Sequence, residues 1–238
     1  MSLAKKMITI QMINELPNSV QKWLLNSGII GKKPIRSVFL QQELQLKMKP
    51  RQKEWYNAKA KQCFTIEPPA FSWSLDLKIK SLIPIVGKDK FENGKGEMCI
   101  NLFSIIPLVN LKDNSKLNQA TLQRFLAEIV WFPSAALSPF ISWEQITNTT
   151  VKATMSYLGT KGSGTFYFNK NGDFEKFEAM RYMDVEENSE PKLWTVTTIK
   201  TEERNGIRIP VELNADWKLE NGNWTWLKLK INEINYNA

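Results

Sequence analysis

Residues 71–79, FSWSLDLKI, alternate without a break. Phe71, Trp73, Leu75, Leu77 and Ile79 fall on one side, and Ser72, Ser74, Asp76 and Lys78 on the other. A period of two predicts a strand with one buried face. IRSVFLQQELQL (35–46) and KAKQCFTI (59–66) predict the strands before it. PIVGKDKFENGKGEMCINLFSI predicts two strands joined at Asn93-Gly94, a pair suited to tight hairpin turns. Three more arms of alternating residues meet at Asn171-Gly172, Asn205-Gly206 and Asn221-Gly222. In the last arm Trp224 and Trp226 share one parity and Leu227, Leu229 and Ile231 the other, which predicts a bulge.

Two stretches change period. In LPNSVQKWLLNSGI, Asn18 or Ser19 can cap, Val20, Trp23 and Leu24 form one face, and Gly28 stops the run, so a helix is expected over 18–27. In TLQRFLAEIVWF, Leu122, Phe125, Leu126, Ile129 and Val130 recur at helical spacing and Pro133 closes the helix. The expected class is therefore mainly β. It is a large, curved antiparallel sheet of about ten to twelve strands, a half-barrel or open barrel, with helices on its concave face. One domain over 1–238 is expected, with a folded core at 16–236. Residues 1–10 are expected to be flexible or to derive from an expression leader.

Composition narrows the chemistry. Histidine is absent, which excludes Ser-His-Asp and Cys-His catalysis and His-containing zinc sites. Cys63 and Cys99 are too few for a four-cysteine metal site. Their apolar, strand-like surroundings suggest two buried thiols, with a disulfide left open. No metal or cofactor is expected. No apolar run approaches the length of a membrane-spanning helix, and MSLAKKMITI lacks the apolar core of a signal peptide. The net charge of +8 is unevenly placed: residues 1–61 hold 12 Lys or Arg against 3 Asp or Glu, and the remainder is nearly balanced. Such asymmetry points to an anionic contact, or simply to a solvated basic surface. Nucleic acid is disfavoured as a partner. The cations do not interleave with aromatics, and no helix-turn-helix or zinc-finger spacing is present.

Three stretches carry candidate chemistry. Within RFLAEIVWFPSAAL the only charges, Arg124 and Glu128, lie four apart on one helical face. A structural ion pair is the leading reading. A ligand anchor at Arg124 comes second, and catalysis is disfavoured because no second acid is evident. In KMKPRQK, Lys47, Lys49, Arg51 and Lys53 alternate, so an extended segment would present all four on one side. They would face an anionic surface or guard an exposed strand edge. ENGKGEM lacks the GK[ST] of a phosphate loop and is read as a hairpin turn.

The order LPNSVQKWLLNSG, AFSW, RFLAEIVWFPSAAL and GIRIP resembles a bacterial family of unknown function over about residues 16–236. More loosely, the layout is similar to the half-barrels of bacterial lipoprotein carriers, in which a concave sheet covered by helices holds acyl chains. The family resemblance implies an N-terminal membrane segment in many members and no established activity. The expected function is a non-catalytic binding or carrier module for a lipid or acyl chain. Phe64, Phe71, Trp73 and Trp131 would form the apolar wall, with Arg124 and Glu128 at the polar end. The alternative is an interaction module whose basic first quarter meets an acidic partner or membrane surface.

Overall fold

The computed structural model of the chain describes residues 7–79, 83–103 and 105–237; the side chain of Ile79, expected on the inward face, lies outside the described part. Among the described residues, thirteen strands form a single sheet in which every adjacent pair is antiparallel. The first six are β1 (Ser37–Leu46), β2 (Tyr56–Thr65), β3 (Ala70–Ile79), β4 (Ile83–Glu92), β5 (Lys95–Leu102) and β6 (Ile106–Lys112). The other seven are β7 (Ile141–Thr147), β8 (Thr150–Tyr157), β9 (Thr160–Phe168), β10 (Phe174–Arg181), β11 (Lys192–Arg204), β12 (Ile207–Leu219) and β13 (Gly222–Tyr236). Their order is β6-β5-β4-β3-β2-β1-β13-β12-β11-β10-β9-β8-β7. The chain thus starts at the centre, meanders to one edge, crosses to the other and returns to pair β13 with β1. The sequence count falls short at the two edges: β6 is interrupted by Pro107, and β7 has mostly exposed side chains.

The turns show how Asn-Gly works in two ways. At Asn93-Gly94 and Asn205-Gly206 both residues have positive φ, as the tight two-residue hairpin turn requires. At Gly172 and Gly222 only the glycine does, and the turn precedes it; β12 ends at Leu219 and β13 begins at Gly222. The expected bulge is present. Ala215 pairs with Leu227 and Asp216 with Thr225, leaving Trp226 as the extra residue.

The crossing element is helix α2 (Ser115–Glu128). It begins earlier than the apolar periodicity suggests, because the Asn114 side chain accepts hydrogen bonds from the Lys116 and Leu117 amides and caps the helix. Regular helix ends at Glu128, earlier than the expected stop at Pro133: Ile129–Trp131 tighten into a 3-10 turn, and Pro133 opens a second one, Pro133–Leu137. The helix lies tight against the sheet. A Cβ on Gly96 would sit 2.5 Å from Thr121 Oγ1, and one on Gly162 would sit 2.7 Å from Gln123 Cγ.

Helix α1 (Asn18–Asn26) places Trp23 against Phe166 and Phe168 of β9, stacked at 6.3 and 5.5 Å. Phe64, Phe71 and Phe91 from β2–β4 meet Phe125 and Phe132 in a second aromatic cluster, closest at 4.7 Å between Phe64 and Phe132. Ile8 and Ile13 are also buried, so core packing starts before residue 16. Residues 1–6 lie outside the described part.

The cysteines need a correction. On β2 the inward positions are Ala58, Ala60, Gln62 and Phe64, so Cys63 faces outward and is exposed. Cys99 is half-buried, and both thiols are free. Among the described residues no helix is long and apolar enough to cross a membrane.

Candidate functional site: an apolar cavity with a buried ion cluster

Alternation along the strands sends one set of side chains inward, and α2 covers only part of that face. Over the remainder a partly open cavity of about 400 Å³ persists. Leu75 and Leu77 of β3 and Ile85 of β4 form one wall, Trp194 of β11, Trp217 of β12 and Leu229 of β13 form the other, and Ala127, Val130 and Trp131 form the roof. Natural ligand pockets span roughly 300–1,000 Å³. A wider depression of about 1090 Å³ shares Leu44, Leu77 and Ile85 with it. That depression is open to solvent and rimmed by charges such as Lys59 and Asp76. The smaller, more sheltered space holds the buried charges and most of the tryptophans, so it is the candidate site.

Arg124 sits at its polar end. Its Nη1 donates to Asp89 Oδ2 at 2.5 Å and its Nε donates to Glu128 Oε1 at 2.9 Å. The side chains of Arg124, Asp89 and Glu128 are 16%, 6% and 12% exposed. The guanidinium also lies 5.0 Å from the ring centres of Phe71 and Trp73. A relay of neutral groups continues from it. Gln62 donates to Glu128 Oε2 at 2.9 Å, Gln42 donates to Gln62 at 3.0 Å, and Trp73 Nε1 donates to Gln42 at 3.0 Å. Burial pushes the Glu128 carboxyl above its ordinary range, against the pull of Arg124 and Gln62. Burial also works against the Arg124 charge, but Glu128 and Asp89 together outweigh it and raise the guanidinium pKa. Both carboxylates thus hold a cation in place.

Asp89 is the second acid that the sequence did not reveal. It shares the inward face of β4 with Ile85, Gly87 and Phe91, and strand parity is the signal that finds it. Arg181, at the end of β10, was missed as well, although it shares parity with the inward residues Phe177 and Ala179. Its Nε donates to the Ala120 carbonyl at 3.0 Å, and its guanidinium lies 4.7 Å from the Trp194 ring and 5.6 Å from Trp217. Among the described residues no carboxylate forms an ion pair with it. Burial brings its pKa down to about 10, with the positive charge of Arg124 adding to the effect and Asp89 and Glu128 opposing it.

Of the expected wall residues, Trp73 and Trp131 line the cavity together with Arg124 and Glu128. Phe64 and Phe71 do not: they point inward but lie under α2, locked in the aromatic cluster. The basic stretch is not extended either. Residues 47–55 form the connection between β1 and β2, with a turn closed by Gln52 N–H donating to the Lys49 carbonyl. Lys47 sits at the cavity rim, its Nζ 4.7 Å from the Trp55 ring, while Lys49, Arg51 and Lys53 are exposed. Since β1 and β2 are interior strands, these cations guard no sheet edge.

Fold and site together define a class: an open antiparallel half-barrel with a helix across its concave face and an apolar cavity left between them. Residues 14–236 match the family described as "Family of unknown function (DUF6920)", and the chain belongs to that family. Among solved structures it is similar to a LolA superfamily protein from Nitrosomonas europaea. Identity is 10%, coverage is 97% of this chain and 94% of that one, and the TM-score is 0.44. A likeness this distant assigns no residue a role. Among curated proteins none matches the chain.

Proposed function

We propose that the protein is a non-catalytic binding or carrier module for an apolar ligand, a lipid or acyl chain, held between the curved sheet and α2. The observation that carries this reading is the sheltered cavity of about 400 Å³ with tryptophans in its walls. Its apolar lining adjoins a dense aromatic cluster, so the chain has the means to fill space and leaves this concave part of the sheet uncovered. The non-catalytic part of the reading rests on Asp89 and Glu128, both tied to Arg124. Native mass spectrometry of freshly purified protein tests it, with a co-purified species of lipid mass expected. A clean apo mass, unchanged after incubation with fatty acids and phospholipids, sinks the reading.

A second reading, contact with an anionic membrane surface, has an observation of its own. Leu44, Ala58, Leu77, Ile85, Leu102 and Ile106 lie in one register row across β1–β6. Just beyond that row, at the same end of the strands, come the basic loop 47–55 and the β5–β6 tip. Phe103 and Ile105 at the tip are 50% and 82% exposed. Apolar groups beside cations suit a lipid interface, at about 1 kcal/mol per cation near an anionic surface. Reversing the charges of Lys49, Arg51 and Lys53, which do not line the cavity, should abolish sedimentation with anionic vesicles and leave ligand binding in the cavity intact.

A further inference from the structure

Two arginines line one cavity and are treated differently. Arg124 is held by two carboxylates, which take its Nε–H and one N–H of Nη1 and supply two counter-charges. Arg181 has one neutral carbonyl on its Nε and indole rings beside it, and among the described residues it forms no ion pair. A guanidinium placed this way keeps donors in a fork that matches carboxylate and phosphate oxygens. The cavity is also graded. Asp89, Arg124, Glu128 and Arg181 lie close enough to act on one another's charge, whereas Leu44, Leu77 and Ile85 supply apolar lining, with Lys47 and Lys88 at the solvent-facing rim.

We propose that the ligand is an amphiphile with a single anionic head, a carboxylate or phosphate, and that Arg181 receives this head while the tail occupies the apolar part of the cavity. The inference rests on reading the cavity as a ligand site. It also places the anchor at Arg181 and returns Arg124, the anchor in the sequence-based ligand reading, to the structural ion pair that the sequence favoured. The two carboxylates of the cavity face Arg124, and burial favours the protonated form of Glu128. The anion therefore gains from short contacts with Arg181 rather than from a strong net field. The depressed pKa of Arg181 agrees with a cation lacking its counter-charge.

The test uses the full chain and three probes of equal tail length: dodecanoate, dodecyl phosphate and 1-dodecanol, each below its micelle concentration. Dissociation constants are read from tryptophan fluorescence. At least one anion should bind about tenfold or more tighter than the alcohol, the scale of one hydrogen bond to a charged group. The tighter of the two anions identifies the head. Arg181→Met should erase this margin and leave dodecanol affinity within about threefold of wild type, while Arg181→Lys should keep part of the margin. Equal binding of alcohol and anions by the wild type overturns the role of Arg181 and leaves the cavity reading standing. A margin that survives Arg181→Met overturns it too. If none of the probes binds, the cavity reading fails and the anchor falls with it. Should Arg181→Met not fold, the wild-type margin and Arg181→Lys decide the matter.

Discussion

Replacing Arg124 with methionine keeps the length and apolar stem of the side chain and removes its charge. Asp89 and Glu128, with side chains 6% and 12% exposed, then lose their shared cation. Breaking a buried ion pair from one side costs about 3–5 kcal/mol, because the remaining charge stays desolvated. That is a large part of the roughly 5–15 kcal/mol by which a typical domain is stable. For a chain of this length it corresponds to a fall in Tm of about 6–20 °C. The loss should also depend on pH. The Glu128 carboxyl is raised in the folded state, so the folded chain holds a proton that the unfolded chain releases, and stability declines as pH rises through that window. Removing Arg124 takes away the pull that keeps this carboxyl down, which widens the window. The deficit should be greatest near neutral pH and shrink on acidification towards about pH 5. Urea unfolding followed by far-ultraviolet circular dichroism at both pH values measures it. A loss under about 1 kcal/mol, the range of exposed ion pairs, would show that the cluster is solvated. A deficit that grows on acidification would refute the assigned direction for Glu128.

Further outcomes follow from single contacts. Gly96→Val would drive a side chain into Thr121 and the Leu117 carbonyl, 2.5 and 3.1 Å from the added Cβ. Overpacking of this kind should cost about 1–3 kcal/mol in a urea melt. Trp73→Phe keeps a ring in the cavity wall but strips the buried Gln42 Oε1 of its donor. It should cost about 1–3 kcal/mol, and unchanged stability would show that solvent reaches Gln42. In the native protein Cys63 should react with a thiol reagent well before Cys99, since only Cys63 is exposed. Equal rates would contradict the outward face of β2.

Strand parity explains both what was legible in the sequence and what was not. Alternation at 71–79, the Asn-Gly pairs and the parity switch at Trp226 gave the inward faces, two of the tight turns and the bulge. Parity says which side a residue faces, but not how far along the strand a helix covers it. Phe71, Trp73 and Leu75 all point inward from β3, yet Phe71 lies under α2 while Trp73 and Leu75 line the cavity. Only the path of α2 separates them, and that path depends on Gly96 and Gly162, glycines on strands far apart in sequence. The Arg124–Glu128 pair was visible because i, i+4 contacts are local. Asp89 and Arg181 join it through sheet curvature, which no local spacing encodes. The basic stretch misled because its alternation mimics a strand, whereas Pro50 and the turn at Lys49–Gln52 break the extension.

The pairing of β1 with β13 bears on how the chain is made. Val38 and Leu44 leave the ribosome long before Tyr236 and Leu229, their partners on one side. Until β13 emerges, β1 has β2 on one flank and an open row of amides and carbonyls on the other, and the two wings of the sheet are joined through α1 and α2 but by no strand pairing. Folding dominated by such distant pairings is slow and leaves apolar strands exposed during synthesis. A nascent chain halted before β13 would carry both wings without the seam that joins them, so the emergence of β13, rather than any earlier step, sets when the cavity can first exist.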